Sequence, residues 1–306
     1  MTTQTLFAIK HIALALDASP YSIAALDEAV LLAERLDAEL TAICIEDINM
    51  INAIQQPYSL TVTPFAKSMK IDNHKMIDDM MKVQTGEARR ALEYATKNHK
   101  IKYELVIKRG FIAEEVIKAS ENADIVILGW AGWQAADFYF SNSSFGKHCR
   151  FDFPINRAVK IGSSVCSVVS KLKVSGLILH SPISHACSMS VFYDGSDDAK
   201  KNLYMAEEAF RLLFSYCKKG SEHTAFEVLI TDEAYRKEVR ILLAELKIKG
   251  SIIVLDKNKP LEQMALIVKA SETNLLVISA KSSILNDIRS ALKEFDAVST
   301  SILLTR

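Results

Sequence analysis

Two glycine-containing segments and one aspartate carry the residue types that could bind a small anionic ligand. Gly129-Trp-Ala-Gly132 follows a run of apolar residues, and Gly162-Ser163-Ser164 precedes a short helical pattern. Glycine lets the main chain approach anionic oxygen atoms because no Cβ atom intervenes, and amides at the start of a helix point towards such a group. The Asp17 carboxylate could accept hydrogen bonds from ligand hydroxyl groups. These residue types are therefore candidates for contact with a small anionic ligand.

Other residues that could do chemistry lack the spacing that catalysis or metal binding requires. The sequence contains no Gly-x-Ser-x-Gly elbow and no Gly-x-x-x-x-Gly-Lys-(Ser/Thr) loop. His180, His185 and Cys187 are close together, but structural zinc needs four ligands in paired clusters, and His148-Cys149 does not complete such a set. We therefore predict no catalytic residue and no metal site, and we expect linker or packing roles for the His180 cluster.

Composition and charge exclude several classes of protein. Lys plus Arg and Asp plus Glu each number 37, so the net charge is zero with neutral histidines, and we predict neither a nucleic-acid nor a membrane partner. Apolar runs are far shorter than the ~20 residues that span a bilayer, and residues 1–10 lack a secretory pattern. The five cysteines are scattered without a Cys-x-x-Cys pair, which is typical of free thiols in a reducing compartment. We expect a cytoplasmic protein.

Short apolar runs alternate along the chain with longer amphipathic segments. This alternation is typical of strands and helices that build a parallel β-sheet covered on both faces. The first predicted series places Asp17 and the glycine segments at the ends of strands or helices. Its predicted strands are 11–16, 40–45, 102–107, 124–128 and 176–179, and its predicted helices are 21–36, 72–97, 112–120 and 163–172.

A second series begins after Ser181-Pro-Ile-Ser184, so we predict a linker near residues 180–188. We predict an α/β fold with two tandem five-stranded parallel-sheet domains, residues 1–182 and 187–306, the first with an insertion near 133–160. The predicted strands of the second series are 189–193, 226–230, 251–255, 274–278 and 301–304, and its predicted helices are 199–216, 234–246, 261–270 and 284–295.

The two series repeat each other in sequence. Asp17-Ala-Ser-Pro and Asp194-Gly-Ser-Asp each end a first predicted strand and open a turn of small residues. The helices that follow carry apolar residues at the same offsets from the aspartate. Lys118-Ala-Ser-Glu and Lys269-Ala-Ser-Glu each precede an apolar run. This repetition indicates a duplicated unit.

The pattern strand-Asp-(Gly/Ala)-Ser-helix, together with Ala-Asp-Ile-Val-Ile-Leu-Gly-x-x-Gly at residues 123–132, resembles the universal stress protein family. The resemblance covers both halves of the chain. It implies a Rossmann-like fold of the adenine nucleotide alpha hydrolase type. In that family a Gly-x-x-Gly, followed later by Gly-Ser or Gly-Thr, forms the loop that holds the phosphates of ATP, and the early aspartate lies beside the nucleoside.

The resemblance implies that the first half binds ATP or AMP, with Mg²⁺ if the ligand is ATP, and acts as a stress sensor or regulator. The two glycine segments would hold the phosphates, and Asp17 would accept hydrogen bonds from the ribose hydroxyls. The implied nucleotide-contacting residues are Leu16, Asp17, Ala18, Ile45, Leu128, Gly129, Ala131, Gly132, Gly162, Ser163, Ser164 and Val165.

Two features depart from the family pattern. Residues 133–161 separate the glycine segments, and this insert is rich in aromatic and cationic residues. It could be a lid over a ligand, an arm that packs on the other half or on a second subunit, or a folded excursion that buries its own rings. In the second half, Ser279-Ala-Lys-Ser282 replaces the glycine pair and no glycine follows, so we predict no family-type nucleotide site there.

Assembly and function leave alternatives open. Family members commonly pair through the last strand, so the resemblance implies an intrachain pseudo-dimer, with a homodimer of whole chains as a further assembly. The functions to be weighed are a nucleotide sensor, a tandem scaffold that acts through contacts with an unknown protein partner, and a weak ATP hydrolase. The enzyme ranks last because no general base or metal set accompanies the glycines. Convergence of Gly129, Gly132 and Gly162 in the folded chain would favour the sensor.

Overall fold

The computed structural model of the chain describes residues 9–55, 73–132, 159–180, 183, 188–214 and 225–306. These residues form the α/β fold that the alternating sequence pattern predicts. The two predicted five-stranded sheets are joined into one ten-stranded sheet, which lies between two layers of helices. Part of the predicted insertion, residues 133–158, lies outside the described residues. The strands are β1 (His11–Ala15), β2 (Glu39–Asp47), β3 (Tyr103–Gly110), β4 (Ile125–Gly129), β5 (Ser175–Leu179), β6 (Ser188–Tyr193), β7 (Ala225–Ile230), β8 (Ser251–Val254), β9 (Leu275–Ser279) and β10 (Ser301–Thr305).

The described helices alternate with these strands along the chain. None of the helices in the described ranges is long and apolar enough to cross a membrane. The helices are α1 (Pro20–Leu36), α2 (Ile48–Gln55), α3 (Asn73–Thr96), α4 (Ile112–Ala119), α5 (Ser163–Val169), α6 (Asp197–Phe214), α7 (Arg236–Glu245), α8 (Pro260–Ala270) and α9 (Ile288–Lys293).

The sheet contains the same strand order twice. Its order is β3-β2-β1-β4-β5-β10-β9-β6-β7-β8, so β1–β5 and β6–β10 run outwards from a central seam in matching sequence. We call the part of the chain that carries β1–β5 the first half and the part that carries β6–β10 the second half. Neighbouring strands are parallel within each half, and β5 and β10 pair antiparallel at the seam.

Both faces of the sheet carry a core that includes residues from both halves. Successive side chains of a strand point to opposite faces, and at the seam Leu177 and Leu303 belong to one buried cluster while Ile178 and Ile302 belong to the other. Helices α1, α3, α6 and α7 cover the first face, and α4, α5, α8 and α9 cover the second. The apolar runs of the inner strands are therefore buried on both faces of the sheet.

The helix that follows the first strand of each half begins with the same hydrogen-bonding motif. The Ser19 amide donates to Asp17 Oδ1 at 2.9 Å, and the Ser22 amide donates to Ser19 Oγ at 3.3 Å. In the second half, the Ser196 amide donates to Asp194 Oδ1 at 3.2 Å, and the amide three residues on donates to Ser196 Oγ at 3.1 Å. A serine at this position satisfies an amide that the helix itself leaves unpaired.

The structure differs from the sequence predictions at three elements. Helix α2, which directly follows β2, was not predicted. The predicted helix 284–295 is interrupted, because Asp287 accepts hydrogen bonds from the Arg289 amide and the Ser290 hydroxyl and so starts a new helix. The predicted helix 234–246 opens with a 3₁₀ turn, Glu233–Tyr235, in which the Asp232 side chain accepts from the Ala234 amide.

Candidate functional site

The predicted site residues lie where the strand order of the first half reverses. Strands β1 and β4 are neighbours, and the helices that follow them, α1 and α5, cover opposite faces of the sheet. Ligands of open α/β sheets commonly bind in the crevice that this arrangement leaves at the carboxyl ends of the strands. Asp17 follows β1 by two residues, and Gly129 is the last residue of β4.

Gly129 is required by the packing of two main chains. A Cβ atom at this position would lie 2.7 Å from the carbonyl carbon of Tyr21 and 2.8 Å from the amide nitrogen of Ser22. Both atoms belong to the first turn of α1, so only glycine lets β4 end this close to the helix. The glycine is therefore explained by the fold, whatever the turn binds.

Gly132 and Asp17 bring the two loops into contact. A Cβ atom at Gly132 would lie 3.0 Å from Asp17 Oδ2, so the absence of a side chain leaves space beside the carboxylate. The buried Ser19 hydroxyl donates to the carbonyl oxygen of Ala131 at 3.4 Å and connects the two loops further. The early aspartate and the glycine turn thus lie side by side.

The second glycine segment returns to the first across the insert. The Gly162 amide donates to the carbonyl oxygen of Trp130 at 3.0 Å. The fully buried Trp130 indole donates from Nε1 to the carbonyl oxygen of Val159 at 2.8 Å. Gly129, Gly132 and Gly162 therefore converge although residues 133–161 separate the two segments. At Gly162 itself a Cβ atom would make only ordinary contacts, the nearest at 3.5 Å.

The predicted site residues divide into a surface set and a buried set. A ligand could reach the partly buried or exposed residues Asp17, Ala18, Gly129, Gly132, Gly162, Ser163 and Ser164. The apolar residues lie beneath them in the two cores: Leu16, Ile45, Leu128, Ala131 and Val165.

His180, for which the sequence indicated a linker or packing role, lies against the glycine turn. It directly follows β5, is 7% exposed, and its ring lies edge-on to those of Trp130 at 5.3 Å and Tyr21 at 5.7 Å. Burial lowers the pKa of His180 to about 4, so the imidazole is neutral at pH 7. His185 and Cys187 lie outside the described residues.

Sequence reasoning also missed Trp130 and Ser19 as parts of the site. The signal for Trp130 was an aromatic residue inside the Gly-x-x-Gly, and the signal for Ser19 was its repetition as Ser196. Neither signal identifies the hydrogen-bond acceptor. The acceptor of Trp130 is Val159 and that of Ser19 is Ala131, and both are remote in the sequence from their donors.

The corresponding position of the second half is closed by its own side chains. Asp194 Oδ1 accepts from the Ser196 amide and hydroxyl, and Asp194 Oδ2 accepts from the Ser282 hydroxyl at 2.8 Å. Ser282 corresponds to Gly132 of the first half, because each lies three residues after the last residue of its strand, Ser279 of β9 and Gly129 of β4. A hydroxyl therefore occupies the space that the glycine leaves beside the carboxylate in the first half.

The remaining reactive side chains have surroundings that suit packing. Cys44 and Cys166 are buried free cysteines, and burial raises the pKa of the Cys44 thiol to about 11, well above the range in which a thiolate forms at neutral pH. Within the described ranges, no group of three or more His, Cys, Asp and Glu side chains could hold a metal ion.

Known proteins share this fold across both halves. No curated protein matches the sequence. A universal stress protein from Archaeoglobus fulgidus DSM 4304 has a solved structure similar to this one, with a TM-score of 0.60, 14% identity and coverage of 98% of each chain. A functionally unknown protein from Pseudomonas aeruginosa PAO1 aligns with a TM-score of 0.52, 13% identity and coverage of 98% of this chain and 93% of its own.

The family match covers the part of the candidate site that lies before the insert. Residues 8–144 match the model of the universal stress protein family, and this range includes Asp17, Gly129 and Gly132. Both the aspartate turn and the turn of Gly129 and Gly132 therefore lie within the matched region. Over residues 8–144, the chain is similar to the universal stress protein family.

Proposed function

We propose that the first half binds an adenine nucleotide, ATP or AMP, and that occupancy of this site makes the protein a sensor or regulator in a stress response. The observation that supports this most is the hydrogen bond from the Gly162 amide to the Trp130 carbonyl oxygen. It brings the two glycine segments together beside Asp17, which the insert could have prevented.

The residues present fit such a ligand. The space beside Gly132, which a Cβ atom would fill, could admit a ligand atom next to Asp17 Oδ2. The main chain around Gly132 and Gly162 and the hydroxyls of Ser163 and Ser164 would donate to phosphate oxygens, and Asp17 would accept from ribose hydroxyls. If the ligand is ATP, Mg²⁺ would enter with the phosphates. We propose binding with at most weak hydrolysis.

The second half serves as a structural partner in this proposal. We take residues 1–182 and 187–306 as two tandem domains that form an intrachain pseudo-dimer. The antiparallel pairing of β5 with β10 supports this, because the last strands of the two halves meet there. The hydrogen bond from Ser282 to Asp194 argues against a second nucleotide. A cytoplasmic location and a further homodimer belong to the same proposal.

The alternative is a tandem scaffold that binds no nucleotide and acts through contacts with a protein partner. The closed carboxylate of the second half favours it, since that half keeps the fold without the glycine turn. The two functions differ in what the first half binds, so ligand binding separates them directly.

The first experiment identifies the ligand. Small molecules released from the purified, denatured protein are analysed by mass spectrometry, and the intact protein is titrated calorimetrically with ATP, ADP, AMP and cAMP. We expect one adenine nucleotide per chain. Absence of a released nucleotide, together with no heat of binding at several temperatures, would leave the scaffold as the function.

Matched variants then locate the site. We expect Asp17→Ala to weaken binding at least tenfold, because it removes the acceptor for the ribose hydroxyls. Asp194→Ala is the control, since it removes the corresponding carboxylate of the closed turn and leaves affinity unchanged. At Gly162 a Cβ atom fits without a clash, so Gly162→Val should leave the fold intact. Loss of nucleotide binding in this variant would show that the Gly162 turn contacts the ligand. Unchanged affinity in Asp17→Ala and Gly162→Val would refute this site.

A further inference from the structure

We propose that Asp296, in the second half, is a positioning residue for the Gly162 turn of the first half. This inference rests on the proposed nucleotide site. Asp296 Oδ1 accepts a hydrogen bond of 2.7 Å from the main-chain amide of Ile161, the residue directly before Gly162. One half of the molecule thus holds the segment from which the other half builds its site.

The contact supplies an acceptor to the main-chain amide of a mostly buried residue. Ile161 is 8% exposed, so removing the carboxylate would leave its amide without an acceptor in a buried environment. A carboxylate acceptor makes this hydrogen bond stronger than one between neutral groups. The bond therefore specifies where the chain turns before Gly162.

Asp296 is held in place by its own neighbours. Phe295 is 2% exposed and Val298 is 4% exposed, and both belong to the core on the same face of the sheet as α5. The Asp296 amide donates to the carbonyl oxygen of Lys293 at 3.1 Å, and the Val298 amide donates to that of Phe295 at 2.9 Å. The carboxylate thus projects from a turn that the core fixes on both sides.

The second half also contacts the other end of α5. Arg306 Nη2 donates to the carbonyl oxygen of Val169, the last residue of α5, at 2.7 Å. Arg289 Nη2 lies 3.4 Å from the Ser167 hydroxyl oxygen. Since α5 follows Gly162 directly, contacts at both of its ends would fix the glycine turn before a ligand arrives. Preorganisation of this kind raises affinity because less ordering remains to be done on binding.

The test compares two substitutions of Asp296 with two independent readouts. Asp296→Ala removes the acceptor, whereas Asp296→Asn keeps an amide oxygen at the same place. We measure nucleotide affinity by calorimetry, and we measure hydrogen exchange of the Ile161 amide in the ligand-free protein by NMR. Glu294→Ala is the control, because Glu294 is an exposed carboxylate of the same turn.

We expect Asp296→Ala to exchange the Ile161 amide at least tenfold faster and to bind nucleotide about tenfold more weakly. Asp296→Asn should restore both quantities to within about threefold of the unsubstituted protein. If Asp296 had only a structural role, both variants would have a lower thermal midpoint, and Asp296→Asn would not restore the exchange rate and the affinity. Glu294→Ala should leave exchange and affinity unchanged.

Two outcomes would overturn the proposal. Unchanged exchange at Ile161 in Asp296→Ala would mean that the carboxylate does not hold the turn. Tighter nucleotide binding in both Asp296 variants would mean that the carboxylate acts only by repelling phosphate. If the unsubstituted protein binds no nucleotide, the proposed function fails, and the exchange rates alone still decide whether Asp296 positions Ile161.

Discussion

At the scale of single residues, Gly129 and Gly162 have opposite steric surroundings although both belong to the proposed site. A Cβ atom at Gly129 would meet main-chain atoms of α1 at 2.7–2.9 Å. This clash can be relieved only if β4 or α1 moves. We expect Gly129→Ala to lower the free energy of unfolding by about 1–3 kcal/mol. Gly162→Ala, with its nearest contact at 3.5 Å, should cost less than about 1 kcal/mol. Urea unfolding of both variants, followed by circular dichroism, measures the difference, and equal losses would contradict this account.

His180 makes stability depend on pH. Because burial lowers its pKa to about 4, the unfolded chain takes up a proton below about pH 6.5 that the folded protein does not accept until near pH 4. Stability should therefore fall as the pH drops through this window, with a contribution from His180 of up to about 3 kcal/mol, and this contribution should level off below pH 4.

The His180→Leu variant isolates that contribution. We expect its free energy of unfolding to change less between pH 7 and pH 4.5 than that of the unsubstituted protein. His11→Gln is the control, since His11 is exposed. Urea unfolding at several pH values gives the slopes, and identical slopes for His180→Leu and the unsubstituted protein would exclude His180 as their source.

At the scale of elements, the repeated serine cap allows the same substitution to be compared in two settings. Ser19 is fully buried and also donates to the Ala131 carbonyl oxygen, whereas Ser196 is exposed. We expect Ser196→Ala to cost about 1 kcal/mol, as for an ordinary helix cap, and Ser19→Ala to cost more, because the glycine turn loses a contact as well. Urea unfolding measures both values. A larger loss for Ser196→Ala would indicate that Ser19 contributes only a cap.

At the scale of the whole molecule, the shared cores predict that the two halves unfold together. Both tryptophans, Trp130 and Trp133, belong to the first half of the sequence, and Trp130 is fully buried there, so its fluorescence reports on that half. Phe226 of β7 is 2% exposed, and its ring packs edge-on against Phe210 at 5.4 Å, within the second half. We expect Phe226→Ala to cost about 3–5 kcal/mol and to shift the fluorescence and circular dichroism transitions equally.

Independent halves would give a different result. The tryptophan transition would keep its midpoint in Phe226→Ala, and circular dichroism would show two steps. The prediction rests on the seam, where β5 and β10 place residues of both halves in each core. The same coupling would let the second half act on the nucleotide site through Asp296.

The sequence by itself determined the class of fold, the order of most elements and the duplication. Continuous apolar runs identify strands buried on both faces, and the repeated aspartate and serine identify two equivalent turns, because these signals are local in the chain. The glycine segments could be recognised for the same reason. Helix α2 and the break at Asp287 were missed, since short helices and side-chain caps leave weak periodic signals.

Only the tertiary structure decided which distant residues meet. The return of Gly162 to Trp130, the closure of Asp194 by Ser282, and the bond from Ile161 to Asp296 each join residues far apart in the sequence. The antiparallel pairing of β5 with β10 also joins distant residues, and before the structure it was only an implication of the family resemblance. Such contacts depend on how the sheet brings strand ends and helix ends together in space, and local spacing carries no record of that arrangement.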